Sequence, residues 1–336
     1  MAENAQNTLK SEKKLNRLFS VAPMMDWTDR HCRYFHRQLS KKALLYTEMV
    51  TSSALIYGDH EQFLQHNIDE YPLSLQLGGH NAKSLARCAR YAQAWGYQEV
   101  NLNVGCPSGR VQNGRIGACL MAEPDTVATA VAAMKSVVDI PVTVKHRIGI
   151  SPQASYDKLA NFVGRVAEAG CETFIVHARI AVLTGLSPKQ NREIPPLKPE
   201  WVYQLKKDFP SLEIIINGGI KSFDEISYHM LKLDGVMLGR EAYQNPYLLA
   251  EVDNRLYSSV QPLIQRRQVI EKMVPYIEHQ LAKGACLHHI TRHMLGLYQG
   301  VQGARKYRRY ISENAHKDGA GIEILIKAVN LVETEL

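Results

Sequence analysis

Glu99-Val-Asn-Leu-Asn-Val-Gly-Cys-Pro107 reads as a short buried strand that stops at a glycine and opens into a loop bearing a thiol. A stretch with apolar residues at i, i+3 and i+4 spacing, hence helix-like, follows at 124–138. The same unit recurs along the chain. Strand-like runs fall at 18–24, 44–50, 73–77, 99–104, 142–145, 173–177, 213–217 and 235–238. All are rich in Val, Ile and Leu, as strands buried on both faces should be. Helix-like stretches at 29–39, 81–95, 124–138, 156–169 and 223–232 separate most of them, and the connection after the second run has no clear pattern. Eight strands alternating with helices predict an α/β protein, a (β/α)8 TIM barrel, with a doubly wound sheet as the competitor.

Beyond about residue 255 the strand-like runs stop, and 264–281, 288–299, 304–312 and 322–331 read as helices. The expected organisation is an irregular lead at 1–17, a catalytic barrel at 18–255 and a helical domain at 256–336. With 45% hydrophobic and 22% charged residues, the chain is neither disordered nor a bundle of membrane spans. No apolar run approaches the roughly 18 residues of a span. The polar N-terminus, with lysines at 10, 13 and 14, lacks the apolar region of a secretory signal. Six scattered cysteines without CxxC spacing argue against a disulfide framework and a zinc site, and fit a cytoplasmic protein. The His289/His293 pair, without a carboxylate motif, fits a basic surface better than a metal site.

The formal net charge of +7 is unevenly spread. Between residues 255 and 310 ten lysines and arginines face only Glu271 and Glu278, a local +8 that leaves the rest about neutral. The segment ends in Ala304-Arg-Lys-Tyr-Arg-Arg-Tyr310. Basic residues interleaved with aromatics suit a polyanion, since phosphates release counterions and bases stack on rings.

In a barrel the chemistry lies at the C-terminal ends of the strands. Those ends carry Ala22-Pro-Met-Met-Asp26, Gln76, Asn103, Cys106, Lys145, His177, Asn217-Gly-Gly219 and Gly239-Arg240. Glycines after the seventh and eighth strands let backbone N–H groups approach a phosphate. Lys145 is placed as a fixed cation, and Gln76 and Asn103 as amides that orient a planar ring. Cys106 sits where a thiol, largely protonated at neutral pH, can act as a general acid, or with a nearby His as a nucleophile. No GxGxxG after a strand and no Walker A loop is present.

Together Ala22–Asp26, 75–79, 101–107, 144–149, 176–179, 217–219 and 239–242 resemble the tRNA-dihydrouridine synthases, and the segments 185–196 and 240–246 resemble the bacterial subfamily acting at uridines 20 and 20a of the D-loop. Lys145-His-Arg147 departs from the pattern in its middle residue, where Thr is common. The resemblance implies FMN-dependent reduction of the C5=C6 bond of a tRNA uridine, with NADPH as reductant and Cys106 as proton donor. It places Pro23, Met24, Met25, Gln76, Lys145, His177, Asn217, Gly218, Gly219, Gly239 and Arg240 on FMN. It places Asn103, Gly109, Arg179, Lys189, Arg192, Arg305 and Arg308 on substrate or tRNA, and implies a monomer without metal. The competing readings are an FMN-dependent oxidoreductase of a small pyrimidine or enoate, which gives the basic segment no role, and an RNA-binding module, which ignores the strand ends.

Overall fold

The computed structural model describes residues 15–108 and 114–333. Nearly all of the expected irregular lead, and Gly109, lie outside the described residues. The strands are β1 (Phe19–Val21), β2 (Leu45–Thr51), β3 (Leu73–Gly78), β4 (Glu99–Val104), β5 (Val142–Arg147), β6 (Thr173–His177), β7 (Glu213–Asn217) and β8 (Gly235–Leu238). All pair in parallel, in the order β1-β8-β7-β6-β5-β4-β3-β2. A bridge between Ser20 and Leu44 joins the two ends, with Val21 N donating to Leu44 O at 2.9 Å and Leu44 N to Phe19 O at 3.1 Å. The sheet therefore closes into a barrel, and the doubly wound alternative is excluded. β1 ends earlier than expected, because Pro23 has no N–H to continue the ladder.

The strands are apolar outward and mixed inward. Leu75, Leu102, Val144, Val176 and Ile216 pack outward in the core shared with the helices. Inward, Leu44, Tyr46, Ile175, Ile215 and Met237 form a separate apolar layer. At the N-terminal end Arg17 pairs with Glu99 at 2.6 Å and Glu213 at 2.8 Å. The strands are thus not uniformly apolar on both faces, because the barrel interior holds buried polar layers as well.

Each barrel helix has its own start signal. Asp29, Asn81 and Ser155 cap the helices Arg30–Leu39, Ala82–Ala94 and Tyr156–Glu168, and Ser222 with Glu225 forms a capping box on Phe223–Met230. Two short helices, Ser52–Tyr57 and His60–Leu64, fill the connection after β2. The helix Pro199–Asp208 has no counterpart among the sequence expectations; Pro199 and Glu200 in its first turn are its signature.

The C-terminal region is helical, with Arg266–Ala282, Leu287–Thr291, Ala304–Asn314 and Ile322–Glu333. The expected helix at 288–299 is corrected: it ends at Thr291 and gives way to tight three-residue turns, such as Leu297 N to Met294 O at 3.0 Å. Gly296 lies so close to Gln244 that a Cβ would come within 2.4 Å of that carbonyl oxygen, and this approach sets the path. The region docks on the first barrel helix. Tyr276 stacks on Tyr34 with centroids 3.9 Å apart, and its hydroxyl meets His31 Nδ1 at 2.8 Å.

Candidate active site

Gln76, Asn103, Lys145 and His177 all project from strand ends toward the barrel mouth. Register brings them together, since Gln76 pairs with Asn101 across β3 and β4, and Asn103 with Lys145 across β4 and β5. Asn103 Nδ2 donates to Gln76 Oε1 at 2.8 Å, and Gln76 Nε2 donates to Asn101 Oδ1 at 2.7 Å. Asn103 Oδ1 accepts from the N–H groups of Gly105 and Cys106 at 3.1 and 3.0 Å. That single oxygen folds the loop that presents the half-buried Cys106. Arg147, to which sequence reasoning assigned no role, braces the same loop by donating to Gly105 O at 3.1 Å and Asn191 O at 2.9 Å.

Positive charge dominates this mouth. Lys145, Arg147, His177, Arg179 and Arg192 all have depressed pKa values, for two reasons. Loss of surrounding water comes first in each case, even for Arg192 at the exposed edge of the mouth; mutual repulsion or repulsion from Arg240 adds to it. Lys145 falls to about 8 and Arg147 to about 10. Glu193 offers partial compensation but is engaged by Arg240 at 2.8 Å. His177 Nδ1 and Arg179 Nε are buried and lack hydrogen-bond partners among the described residues. Burying uncompensated cations is costly, so this arrangement is chemically matched to an anion.

Gly218 and Gly219 adopt φ of 111° and 79°, which L side chains rarely take. A Cβ at Gly218 would lie 3.2 Å from His177 Nε2, and one at Gly219 2.4 Å from Leu197 Cδ1. Asn217 is buried and donates to Met237 O at 2.8 Å, tying β7 to β8. The next helix starts at Phe223 and its end is closed by its own Ser222 and Glu225, so any anion contact there falls to the loop. Gly239, by contrast, directly caps the helix Arg240–Gln244.

Across the mouth, Thr28 clamps the loop after β1: Met24 N donates to Thr28 Oγ1 at 2.9 Å, and the hydroxyl donates to Met24 O at 3.2 Å. Pro23 and Met24 are half-buried there, and Met25 is 56% exposed. A cleft of about 470 Å³ opens beside it, lined by Met25, Asp29, Glu48, Met49, Thr51 and Phe63. Burial pushes the Glu48 carboxyl up from its ordinary value.

Not every expected residue joins this cluster. Lys189 is exposed on the loop after β6, and Arg192 is exposed beside the mouth, its carbonyl accepting from Arg240. Arg305 and Arg308 lie on Ala304–Asn314, and no hydrogen bond or ion pair among the described residues links them to the strand ends. His293 is a correction. It is buried, not part of a basic surface, and its Nε2 meets Asp29 Oδ2 at 3.0 Å. Its carboxylate partner is 264 residues away in the chain, so no local motif announces it.

The sequence profile of the family described as Dihydrouridine synthase (Dus) matches residues 20–333. A Vibrio vulnificus protein named tRNA-dihydrouridine(20/20a) synthase is 63% identical over 318 residues, 94% of this chain and 97% of its own length. A Shewanella oneidensis protein of the same name is 60% identical over 331 residues, 98% of each chain. Among solved structures, morphinone reductase superposes with a TM-score of 0.51 at 13% identity, covering 70% of this chain and 85% of its own. A 2-naphthoyl-CoA reductase complex gives 0.56 at 10% identity, covering 70% and 50%. At such identities these two share the fold alone.

Proposed function

The chain belongs to the dihydrouridine synthase family, and on that premise we propose that it reduces the C5=C6 bond of a tRNA uridine to 5,6-dihydrouridine, with bound FMN and with NADPH as reductant. The observation that carries this reading is one mouth holding both a loop-borne thiol, Cys106, and the shielded cations Lys145 and Arg147 with too little counter-charge, beside the unpartnered His177 Nδ1.

The residues suit a phosphate-bearing, ring-containing cofactor. The orphaned His177 Nδ1 and the depressed Lys145 both favour an anionic or electron-rich partner. Asn217, Gly218, Gly219, Gly239 and Arg240 would hold the phosphate, and Pro23, Met24, Met25 and Gln76 the ring. FMN supplies a hydride to C6 of the uracil when bound. As C6 gains hydride, negative charge builds at C5, and Cys106 donates its thiol proton there. Asn103 and Arg179 orient the base, a role Gly109 shares. Lys189, Arg192, Arg305 and Arg308 contact RNA phosphates, so the helical region from about residue 256 acts as the tRNA-binding domain. The target base must leave its stack, at a cost of a few kcal/mol that those contacts offset.

The relatives' names support D-loop positions 20 and 20a as targets. No described helix is long and apolar enough to cross a membrane, and among the described residues no cluster suited to a metal ion is found. We place the protein in the cytoplasm as a monomer. Replacing Cys106 with Ala tests the chemistry: flavin absorbance should persist while dihydrouridine formation falls by about 100-fold or more, the typical worth of a general acid. Turnover at the wild-type rate would refute the assignment.

A further inference from the structure

A continuous line of hydrogen bonds runs through the barrel interior from its N-terminal end to Cys106. Arg17 Nε donates to Glu99 at 2.6 Å, and Tyr46 and Ser74 donate to the same carboxylate at 2.7 and 2.9 Å. Thr143 Oγ1 donates to Glu99 Oε1 at 3.0 Å and accepts from Asn101 Nδ2 at 2.9 Å. Asn101 Oδ1 accepts from Gln76 Nε2, Gln76 Oε1 accepts from Asn103 Nδ2, and Asn103 Oδ1 accepts from Cys106 N. Glu99, Asn101, Thr143 and Gln76 are all at most 1% exposed, so bulk water does not compete with them.

The direction of this line is set at its carboxylate end and agrees with the one the Gly105 and Cys106 N–H groups require at the other. A primary amide can present either its oxygen or its NH₂ to a neighbour, and a hydroxyl can donate or accept. A carboxylate paired with an arginine can only accept. Glu99 therefore obliges the Thr143 hydroxyl to donate to it, which leaves the Thr143 oxygen as an acceptor. Asn101 must then point its NH₂ at Thr143 and its oxygen at Gln76. The alternation carries through Gln76 to Asn103, whose oxygen is left facing the Gly105 and Cys106 N–H groups. Both lone pairs of Asn103 Oδ1 are used, so what this residue offers a ligand at the mouth is its second Nδ2 hydrogen.

We infer that Glu99 and Thr143 are positioning residues: they set the orientation of the Gln76 and Asn103 amides and thereby the conformation of the Cys106 loop. This rests on the role proposed above for Cys106, but its test does not. If the line is broken at Thr143, Asn101 loses the partner that fixes its flip from the carboxylate side, and the amides beyond it are held only by the Gly105 and Cys106 N–H groups of the loop itself. An inverted Asn103 would set its NH₂ against the backbone N–H groups of Gly105 and Cys106, which the loop cannot keep.

Thr143→Val, similar in shape but without hydroxyl, and Thr143→Ser, which keeps it, separate the line from mere packing. The direct readout is the rate at which iodoacetamide alkylates Cys106, measured on the purified holoenzyme with the thiol mapped by mass spectrometry. The Val variant should change that rate about threefold or more and lower kcat for uridine reduction about tenfold at nearly unchanged KM for tRNA. The Ser variant should restore both. If Thr143→Val does not fold, Thr143→Ala serves instead: it removes the same hydroxyl without adding a charge near Cys106, and the same change in alkylation is expected. Alkylation and kcat at wild-type values in whichever variant folds would overturn the inference. Should no uridine be reduced even by the wild type, the function proposed above fails, yet the alkylation rates still decide whether the line holds the loop.

Discussion

Lys145 illustrates how a single residue can be tuned by what surrounds it. Burial, and then the neighbouring Arg147, bring its ammonium down to about 8 from the ordinary 10.5. In the protein without cofactor it is mostly charged at pH 7 and mostly neutral at pH 9. Because the folded value lies below the unfolded one, the unfolded chain binds more protons between about 8 and 10.5, and this group makes the cofactor-free protein more stable as pH rises through that window. Binding has the opposite sign. An anionic ligand favours the charged form, so on the proposed assignment of Lys145 to FMN, binding above pH 8 takes up a proton and affinity should fall by up to about tenfold per pH unit there. Titration calorimetry of the cofactor-free protein in two buffers of different ionisation enthalpy checks this. The heats should diverge at pH 9 and nearly agree at about pH 7, where a phosphate monoester is mostly dianionic and Lys145 still mostly charged, and Lys145→Met should remove the divergence. Agreement at both pH values in the wild type would contradict the assignment of Lys145 to the cofactor.

At the scale of elements, Asp29 does two jobs with its two oxygens. Oδ1 caps the helix Arg30–Leu39 by accepting from His31 N and Cys32 N at 2.9 and 3.0 Å. Oδ2 accepts from Arg292 at 2.7 Å and meets His293 at 3.0 Å, fastening the C-terminal region to the barrel. Burial opposes the charge, but His293, the Cys32 N–H and Arg292 together hold this carboxyl far below the usual carboxylate range. Loss of a cap costs about 1 kcal/mol. The ion pair adds less than a fully buried one would, since Arg292 is partly exposed. Asp29→Ala should lower stability by about 2–3 kcal/mol in chemical denaturation and Asp29→Asn by about 1 kcal/mol, the amide oxygen keeping the cap. With the folded value depressed, the wild-type advantage is complete above pH 4 or so and is lost progressively below it. An advantage unchanged down to pH 3 would argue against this linkage.

The same elements show what sequence can and cannot disclose. The bounds of β4, β6, β7 and β8 coincide with those expected, because each is a short apolar run between turn residues. The strand-end inventory was legible too, since in a barrel position along a strand is enough to place a residue at the mouth. The alternation of Glu99, Asn101 and Asn103 with Val100, Leu102 and Val104 is also present in the sequence and marks an inward polar face. Its partners are not. That Asn101 meets Thr143 on one side and Gln76 on the other depends on the register of three strands, which no local pattern carries. The turns after Thr291 escaped for the same reason, being set by Gln244 against Gly296.

Across the whole molecule, charge is divided between two places: the strand-end mouth and the helix Ala304–Asn314. On that helix Arg309 is committed to Glu313 at 2.7 Å. Arg305 is exposed with no hydrogen bond or ion pair among the described residues, and Arg308 donates only to the Gln299 amide at 2.9 Å. A charge that has no carboxylate to leave can bind a phosphate at little cost, so within that cluster RNA contact is expected at Arg305 and Arg308 rather than at Arg309. Because no hydrogen bond or ion pair among the described residues links them to the strand ends, their removal should weaken docking and leave chemistry alone. Arg305→Ala and Arg308→Ala should each raise KM for tRNA several-fold with kcat unchanged at saturating RNA. Each of the two substitutions should also reduce the slope of log affinity against log salt by about 0.7–0.9, the share of one neutralised phosphate, and the double variant by about twice that. Binding measured from about 50 to 300 mM salt, the range over which counterion release dominates, supplies the slopes. An unaltered slope in the double variant would remove the helix from the RNA interface, whereas a defect confined to kcat would place these arginines at the reaction rather than at the docking surface.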